Sequence, residues 1–283
     1  DGDPALYSVL RGFKVAGVDT SLHSPGPHIV LNIALVNVGY WFMDYGNNYG
    51  GDDNVAELFT DVMGNDVELK AKEVELRVVE ELSNKLKGGF LLLDESLSLS
   101  YTLSWDFESR KAMADYTKLL VDAALCNDCV PIGVYHTRVS DISRGLKALT
   151  KDGSIPAIPD RTLLDQVLPC YSRSPIFLVF SKVLEGSGLE LACFYLKLSD
   201  RNVLRVEFPR RSMDRANEIF AAVLTQCLLG GGYPLALQRA HERAVLRGAD
   251  RRLIEDEICR RLGLPTIEYA LSAKAVSKRW PIA

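Results

Sequence analysis

The chain has 283 residues, of which 47% are hydrophobic and 25% are charged, and its net charge is −4. This length suits one large domain or two small ones, and the composition predicts a folded protein with a sizeable core rather than a disordered one. The negative balance excludes an overall basic field, although acidic catalytic groups and local basic strips can coexist in such a chain. No apolar run reaches the length of a bilayer span and no signal peptide is visible, so we expect a cytoplasmic protein.

The first half of the chain alternates β-rich runs with helical patterns. In chain order it predicts strands at 13–19, 28–38 and 39–45, a loop at 46–53, a helix at 56–87, a strand at 90–94, a helix at 106–125 and a strand at 129–135. A turn signal at Asn37-Val38-Gly39 separates the second strand from the third, and a Gly64-Asn65-Asp66 break interrupts the first helix. The first three strands are expected to form a meander.

The second half continues with strands and then helices. Strands are expected at 176–181, 189–196 and 203–208, and helices at 213–229, 234–247 and 250–262. Buried strands that alternate with helices predict an α/β fold in which helices flank both faces of a mixed sheet. No clear linker divides the chain, and residues 151–159 are the best candidate for a subdomain seam.

Two aspartates occupy the same kind of position. Asp19 and Asp94 each follow an apolar strand and precede a polar turn. An open sheet presents its ligands at strand ends, so the shared position favours a common site. The structural alternative is that each aspartate caps a helix or closes a turn.

A third acid lies in the middle of an apolar helix face. On a helical wheel at about 100° per residue, Glu75 falls within roughly 60° of the apolar positions of its helix. Those positions are Ala71, Val78, Val79, Leu82 and Leu86, whereas Glu73, Glu80 and Glu81 fall on or toward the solvated side. A buried carboxylate must be paired, protonated or bound to a metal, so an ion pair with a lysine or arginine remains the alternative.

Three converging carboxylates suit the hydrolysis of phosphodiesters. Hard oxygen ligands favour Mg²⁺ or Mn²⁺, and two such ions about 4 Å apart can activate water and neutralise the leaving oxygen. An RNase H-like core assembles such a site from a strand meander, a helix and a further strand, which carry the acids. No phosphate-binding loop of the G-x-x-x-x-G-K-[ST] type occurs, so the chain is not expected to be an NTPase.

A late helix carries a histidine. Gly230-Gly231-Gly232 precedes Tyr233 and Pro234, and Pro234 suits the first turn of the helix that bears His241. The pattern places His241 on the face of Leu237, where a histidine is commonly a satisfied core residue. The other interpretation is that His241 and Tyr233 reach the acids.

These motifs resemble the NurA nuclease family along nearly the whole chain. Val18-Asp19-Thr20-Ser21 is similar to the first strand motif of the family, and Leu93-Asp94-Glu95-Ser96-Leu97 to the second. The segment from Gly232 to His241, with Tyr233 and Pro234, is similar to its C-terminal Gly-Tyr-Pro-x-x-Leu-x-x-Ala-His helix and is the most specific match. Further similar segments are Val203–Pro209, Pro159-Asp160-Arg161 and Arg173-Ser174.

The resemblance implies a single NurA-like domain over 1–283 and a metal-dependent DNA nuclease with an RNase H-like fold. Asp19, Glu75, Asp94 and His241 would then hold Mn²⁺ or Mg²⁺, as two ions, with Tyr233 as a further catalytic residue. It implies a 5′-to-3′ exonuclease, with single-strand endonuclease activity as an additional expectation, which acts on DNA ends in resection and recombinational repair. It also implies a homodimer that docks on a hexameric HerA-like ATPase.

Two departures from the family pattern bear on activity. Thr20 and Glu95 replace the glycines after the motif acids, which removes easy access to positive φ and adds one acid beside the expected metal region. His136-Thr137-Arg138 stands where a lysine is expected, so Arg138 either takes a phosphate-facing role or that role is lost. Neither departure removes a proposed ligand. The rival functions are a non-catalytic DNA-binding or motor-docking subunit and another RNase H-like enzyme, such as a resolvase or an RNA-directed hydrolase.

Overall fold

The computed structural model of the chain describes residues 8–23, 33–246, 256–257, 259–261 and 263–265. Within these residues a single mixed sheet holds nine strands. The strands are β1 Lys14–His23, β2 Ile33–Asp44, β3 Tyr49–Thr60, β4 Phe90–Leu93, β5 Val130–Tyr135, β6 Ser172–Arg173, β7 Phe177–Val179, β8 Leu191–Ser199 and β9 Asn202–Pro209.

The strand order is β3-β2-β1-β4-β5-β9-β8-β6, and β7 pairs with β8. The central strands β1, β4 and β5 run parallel to one another, while β2 and β3 are antiparallel to their neighbours. A meander followed by parallel strands with intervening helices is the RNase H-like arrangement that the sequence predicts. Strand β9 pairs antiparallel with β5, so the sheet continues across the candidate seam at 151–159.

The meander has its second turn at a different place from the predicted one. Strand β2 runs unbroken from Ile33 to Asp44 through the Asn37-Val38-Gly39 turn signal. The interpretation of Asn37 and Gly39 as turn residues was wrong because both residues serve contacts with a helix that packs on the strand, described below. The chain instead reverses between Asp44 and Tyr49, where Asn48 has a positive φ of 50°.

The third strand replaces a predicted loop and the start of a predicted helix. Strand β3 covers Tyr49–Thr60 and pairs with β2 along its length, whereas a loop at 46–53 and a helix from residue 56 were expected. It is an edge strand, so its outer face and outer edge meet solvent and tolerate polar residues such as Asp52 and Asp53. The helix begins only at Asn65, directly after the predicted break.

Helices cover both faces of the sheet, as predicted. The α-helices are α1 Asn65–Lys85, α2 Phe107–Cys126, α3 Asp141–Thr150, α4 Asp160–Val167, α5 Ala216–Leu229 and α6 Leu235–Ala244. One core cluster joins α1 and α2 to one face through residues such as Val78 and Leu120, and a second joins α5 and α6 to the other through Val223 and Leu237. No helix in the described part of the chain is long and apolar enough to cross a membrane.

The remaining predicted elements agree with the structure to within a few residues, with two exceptions. Residues 210–215 form a 3-10 helix, so α5 begins at Ala216 rather than at 213. The helix predicted over 250–262 falls mostly outside the described residues.

Candidate active site

The register between β1 and β4 places the two strand-borne aspartates side by side. Val18 is the register partner of Leu93 in this parallel pair, so Asp19 and Asp94 follow at the same level of the sheet. Adjacent strands lie about 4.8 Å apart, which brings the two carboxylates into one region. The prediction that each aspartate ends a strand holds for Asp94, which directly follows β4. Strand β1 does not end at Asp19, however, because it continues beside β2 as far as His23.

The helix α6 brings His241 to Asp19. The Nδ1 atom of His241 lies 2.7 Å from Oδ2 of Asp19. The imidazole of His241 is 63% exposed, whereas the side chain of Asp19 is 15% exposed. His241 is therefore not a buried core residue, which was one of the two interpretations of its sequence position. If Nδ1 carries the proton it donates to Asp19, and Nε2 is then the acceptor nitrogen that remains for other partners.

Two glycines allow α6 to approach the sheet closely enough for this contact. A Cβ atom on Gly17 would lie 2.3 Å from the carbonyl oxygen of Ala236, and one on Gly39 would lie 2.4 Å from that of Ala240. Gly39 is the register partner of Asp19 on β2. Ala240 therefore packs directly on the backbone beside Asp19, and the next residue of the helix is His241.

The end of α6 is fixed by Asn37. The side-chain nitrogen of Asn37 donates to the carbonyl oxygens of Arg243 at 3.1 Å and of Ala244 at 2.7 Å. The last carbonyl groups of a helix have no partner within the helix, so this buried amide satisfies two of them. Its side-chain oxygen accepts a hydrogen bond from Asn54 of β3, which holds the amide in that orientation.

Tyr233 holds Asp94. Its hydroxyl lies 2.5 Å from Oδ1 of Asp94 and 3.0 Å from the carbonyl oxygen of Val134, so one hydroxyl links β4 with β5. Burial raises the pKa of Tyr233, and the charge of Asp94 raises it further, which keeps the hydroxyl protonated as a donor. Partial burial also raises the pKa of Asp94, and the neighbouring charge of Asp19 adds to that effect although the bond from Tyr233 opposes it.

Glu75 is buried, as the helical wheel predicts, and it is paired. It is 6% exposed on α1, and its Oε2 atom accepts a hydrogen bond of 3.0 Å from Lys72. The same ammonium donates to Oε1 of Glu95 at 2.5 Å. The ion pair that was the alternative for Glu75 is therefore present, and it includes a second carboxylate that borders Asp94.

One ammonium does not neutralise two carboxylates. Burial raises the pKa of Glu75 to about 7, the charges of Glu95 and Asp19 raise it as well, and Lys72 opposes the shift. Burial alone would lower the pKa of Lys72, but the two carboxylates raise it, so Lys72 stays charged. The contribution of Asp19 shows that the α1 side of the site and the α6 side belong to one electrostatic cluster.

The carboxylates and the imidazole of this site are groups that suit a hard divalent ion. Carboxylates and an imidazole are ligands that Mn²⁺ accepts, and their mutual repulsion is what a cation would relieve. Within the described residues, no three histidine, cysteine, aspartate or glutamate side chains are arranged as a ready cage. Asp19, Asp94 and Glu75 are each hydrogen-bonded to a neighbouring side chain.

The sequence interpretation missed a buried carboxylate that holds the loop after Asp94. Glu207 on β9 is fully buried, and its Oε2 accepts hydrogen bonds from the Ser98 amide at 3.0 Å and the Ser96 hydroxyl at 3.3 Å. Its Oε1 accepts from Arg205 at 2.8 Å and Tyr135 at 2.9 Å. The available signal was an arginine and a glutamate two residues apart in an apolar strand, which places both on one face.

A residue to which the sequence analysis gave no role, His136, also lies at the site. The ring of His136 stacks on Tyr233, with centroids 6.1 Å apart and planes inclined by 20°. His136 is exposed, so it lies at the solvent side of the hydroxyl that contacts Asp94. Arg138 is exposed two residues later.

The two replaced glycines do not strain the backbone. Neither Thr20 nor Glu95 is among the described non-glycine residues with positive φ. Thr20 is paired with Val38 in the β1–β2 ladder, and its hydroxyl oxygen is buried without a hydrogen-bond partner. The loss of positive φ that the sequence suggested is therefore not a cost here, and the added charge of Glu95 is offset by Lys72.

The chain is similar to known proteins in part of its sequence and in its fold. The sequence model of the NurA domain matches residues 137–246, which include Tyr233 and His241 but not the three acids. No curated protein matches the chain significantly in sequence. The crystal structure of the NurA nuclease from Sulfolobus solfataricus superposes with a TM-score of 0.61 at 18% identity, over 89% of this chain and 84% of that one.

Two further solved structures are similar at lower scores. A NurA structure with manganese has a TM-score of 0.48 at 9% identity, over 90% of this chain and 92% of that one. The catalytic domain of human endonuclease V has a TM-score of 0.45 at 16% identity, over 94% of this chain and 91% of that one. The chain therefore matches the NurA domain model over residues 137–246 and shares its overall fold with the Sulfolobus protein.

Proposed function

We propose that the chain is a metal-dependent nuclease that hydrolyses DNA phosphodiesters. The observation that carries the proposal is the position of Asp19 and Asp94, each directly after a register pair of the parallel strands β1 and β4. His241 contacts Asp19, and Tyr233 contacts Asp94. Four side chains from three separate parts of the chain meet there, and a role in capping or turns would not require that. The NurA domain and the shared fold support the same reaction class.

Each residue has a distinct task in this proposal. Asp19, Asp94, Glu75 and His241 would hold the ions, and bound Mn²⁺ or Mg²⁺ would activate water and stabilise the charge that develops on the phosphate. Tyr233 fixes the rotamer of Asp94 through its hydrogen bond. Asp19 orients the imidazole of His241, whose Nε2 nitrogen can then face an ion or a phosphate. Glu207 positions the loop that follows Asp94.

We propose two ions, because the carboxylates fall into two groups. Asp19 and Asp94 lie with α6, and Glu75 and Glu95 lie around Lys72 of α1. A pair of ions about 4 Å apart would need ligands from both groups, as two-metal phosphodiester hydrolysis requires. The Mn²⁺ choice rests on the imidazole in the donor set, since Mg²⁺ prefers oxygen ligands alone.

The decisive experiment is cleavage of DNA labelled separately at its 5′ and 3′ ends, with Mn²⁺, with Mg²⁺ and with EDTA. We expect metal-dependent release from 5′ ends of duplexes and single strands, and loss of that activity in Asp94→Asn. The exposed Asp115 of α2 offers a matched control, Asp115→Asn, that keeps full activity. Metal-independent cleavage, or equal cleavage by Asp94→Asn, would refute the proposal.

Two rival functions are separated by the same assay. A non-catalytic DNA-binding or motor-docking subunit would retain labelled DNA without cutting it at any metal concentration. Another RNase H-like enzyme would prefer a branched substrate, RNA or an RNA–DNA hybrid to linear DNA ends. The contact between His241 and Asp19 favours the nuclease, since a subunit that only docks has no use for it.

The proposal includes a role in DNA end resection and recombinational repair, with a HerA-like hexameric ATPase as partner and a homodimer of this single domain as the working unit. The sequence supports the partner because it has no phosphate-binding loop of its own, so ATP-driven movement along DNA needs a second protein. Affinity purification that recovers a ring ATPase, and a mass measurement at twice 31.4 kDa, are the expected results. A monomer that acts fully alone would contradict this part.

A further inference from the structure

Lys72 is an unusual residue at its position. It lies one helical turn before Glu75 on α1 and is only 3% exposed, although lysine is among the side chains least often buried. Residues three apart on a helix share a face, so α1 presents a cation and an acid together to the edge of the sheet. The ammonium therefore lies inside the cluster of acids rather than in solvent.

The ammonium binds one oxygen of each of the two carboxylates that an ion on this side of the site would use. It donates to Glu75 at 3.0 Å and to Glu95 at 2.5 Å, and the side chains of both acids are largely buried. A divalent ion approaches carboxylate oxygens to about 2.0–2.2 Å, closer than an ammonium does. Two cations cannot both take these oxygens without strong repulsion in a buried region.

The other half of the site has no such cation. Asp19 contacts His241 and Asp94 contacts Tyr233, and neither aspartate forms an ion pair with a lysine or arginine among the described residues. The two halves thus differ. The α6 half, with Asp19 and Asp94, presents carboxylates without a lysine or arginine partner in the described part of the chain, and the α1 half, with Glu75 and Glu95, presents carboxylates that already bind the ammonium of Lys72.

We propose that Lys72 is a resident cation that competes with the second divalent ion. The Asp19–Asp94 half binds the first ion without displacing any charged group. The Glu75–Glu95 half accepts an ion only when the ammonium of Lys72 leaves those oxygens. The inference rests on the proposed metal-dependent function, and it makes Lys72 a determinant of how many ions the chain holds at a given metal concentration.

The test is Mn²⁺ binding without DNA, followed through the electron paramagnetic resonance signal of free Mn²⁺. The wild-type chain should show a tight and a weak class of sites. Lys72→Met should tighten the weak class by about tenfold or more, because a unit charge close to the ion is removed. Lys70→Met is the matched control, since Lys70 lies on the same helix and also pairs three residues ahead, with Glu73, but is 41% exposed. It should leave the isotherm unchanged.

A measurement on the wild-type chain covers the case in which Lys72→Met does not fold. Acetylation with a small amine-reactive reagent, read by mass spectrometry, should modify Lys72 slowly without metal and faster as Mn²⁺ fills the weak class. Lys70 should react at a constant rate throughout. Labelling of Lys72 that stays constant up to Mn²⁺ saturation would overturn the proposal, as would identical isotherms for wild type and Lys72→Met.

These outcomes separate the inference from the proposed function. A wild-type chain that binds no Mn²⁺ refutes the metal-dependent function itself. If the wild-type chain binds Mn²⁺, in one class of sites or two, but neither the Lys72→Met isotherm nor the labelling of Lys72 shows an effect, only the competition is refuted.

Discussion

Replacing Glu75 by glutamine separates its two interpretations, because they predict opposite changes in stability. Glutamine keeps the shape of the side chain, and its carbonyl oxygen can still accept a hydrogen bond from Lys72. If Glu75 serves only as the structural partner of Lys72, the substitution weakens a buried ion pair and destabilises the fold. If Glu75 is a buried acid in a site built for cations, the substitution removes a charge that burial and the neighbouring acids make unfavourable.

The raised pKa of Glu75 favours the second interpretation and sets the size of the expected change in stability. The pKa of Glu75 is raised from 4.5 to about 7, chiefly by burial and by the charge of Glu95. Each unit corresponds to about 1.4 kcal/mol, so the ionised carboxylate is roughly 3 kcal/mol less favourable in the folded protein than in the unfolded chain.

The sign of the pH dependence follows from that shift. The unfolded chain releases this proton near pH 4.5, whereas the folded protein keeps it until pH is about 7. The folded state therefore binds more protons between these values, and the stability of the wild type falls as pH rises through this window. Glutamine has no proton to release, so at pH 8 Glu75→Gln should be more stable by up to about 3 kcal/mol, and the difference should close below about pH 5.

Urea unfolding between pH 4.5 and pH 8 in EDTA measures this difference, and repetition with Mn²⁺ should stabilise the wild type more than Glu75→Gln. Cleavage of labelled DNA should be lost in Glu75→Gln. Glu73→Gln on the same helix, whose carboxylate pairs with Lys70 at the surface, should change neither quantity. A Glu75→Gln chain that is less stable than wild type at pH 8, or one that cuts DNA at the wild-type rate, would refute the reasoning.

Four other sets of substitutions test the α6 half of the site. Asp19→Ala or Asp94→Ala should abolish cleavage of labelled DNA while the melting temperature in EDTA is retained, because each removes a charge that repels the other; a sharp fall in that temperature would show a structural role. Tyr233→Phe removes one hydrogen bond to a carboxylate, worth about 1.5–3 kcal/mol, and should slow single-turnover cleavage by roughly 10- to 100-fold. Gly39→Ala should lower the free energy of unfolding in urea by at least about 1–3 kcal/mol, because the added Cβ clashes with α6. It should also lower cleavage, since His241 moves with that helix. Cleavage at the wild-type rate would contradict the dependence of His241 on the position of α6. His241→Ala should lower cleavage severely, and His241→Asp should recover part of it with Mg²⁺.

The positions of Asp19 and Asp94 could be predicted because they depend on a local rule. Each follows a short apolar run of the sequence, and adjacent parallel strands bring residues at the same level of the sheet together. The burial of Glu75 was also predictable, because the wheel compares only residues within one helix. The ion pair of Lys72 with Glu75 and Glu95 was not predictable. The wheel gives no reason to bury a lysine, and Glu95 comes near Lys72 only when the chain is folded.

Elements shaped by distant contacts were the ones misjudged. The residues of β3 include Gly50, Gly51, Asp52 and Asp53, which disfavour strands in isolation. Pairing with β2 along twelve residues overrides that preference at a sheet edge. Glu207 was missed for the same reason, because its four hydrogen bonds come from Ser96, Ser98, Tyr135 and Arg205, and only Arg205 is close to it in sequence.

The misread turn signal at Asn37 and Gly39 has the most direct bearing on function. Both residues are poor choices for the middle of a strand, where a β-branched residue would pack better. Gly39 faces Asp19 across the ladder and leaves room for Ala240, while Asn37 holds the carbonyl groups at the end of the same helix. The sheet thus gives up strand propensity at the two positions that fix where α6 lies, and that placement puts His241 within 2.7 Å of Asp19. Such departures from local preference are expected at functional sites, so they support the proposal that His241 and Asp19 act together.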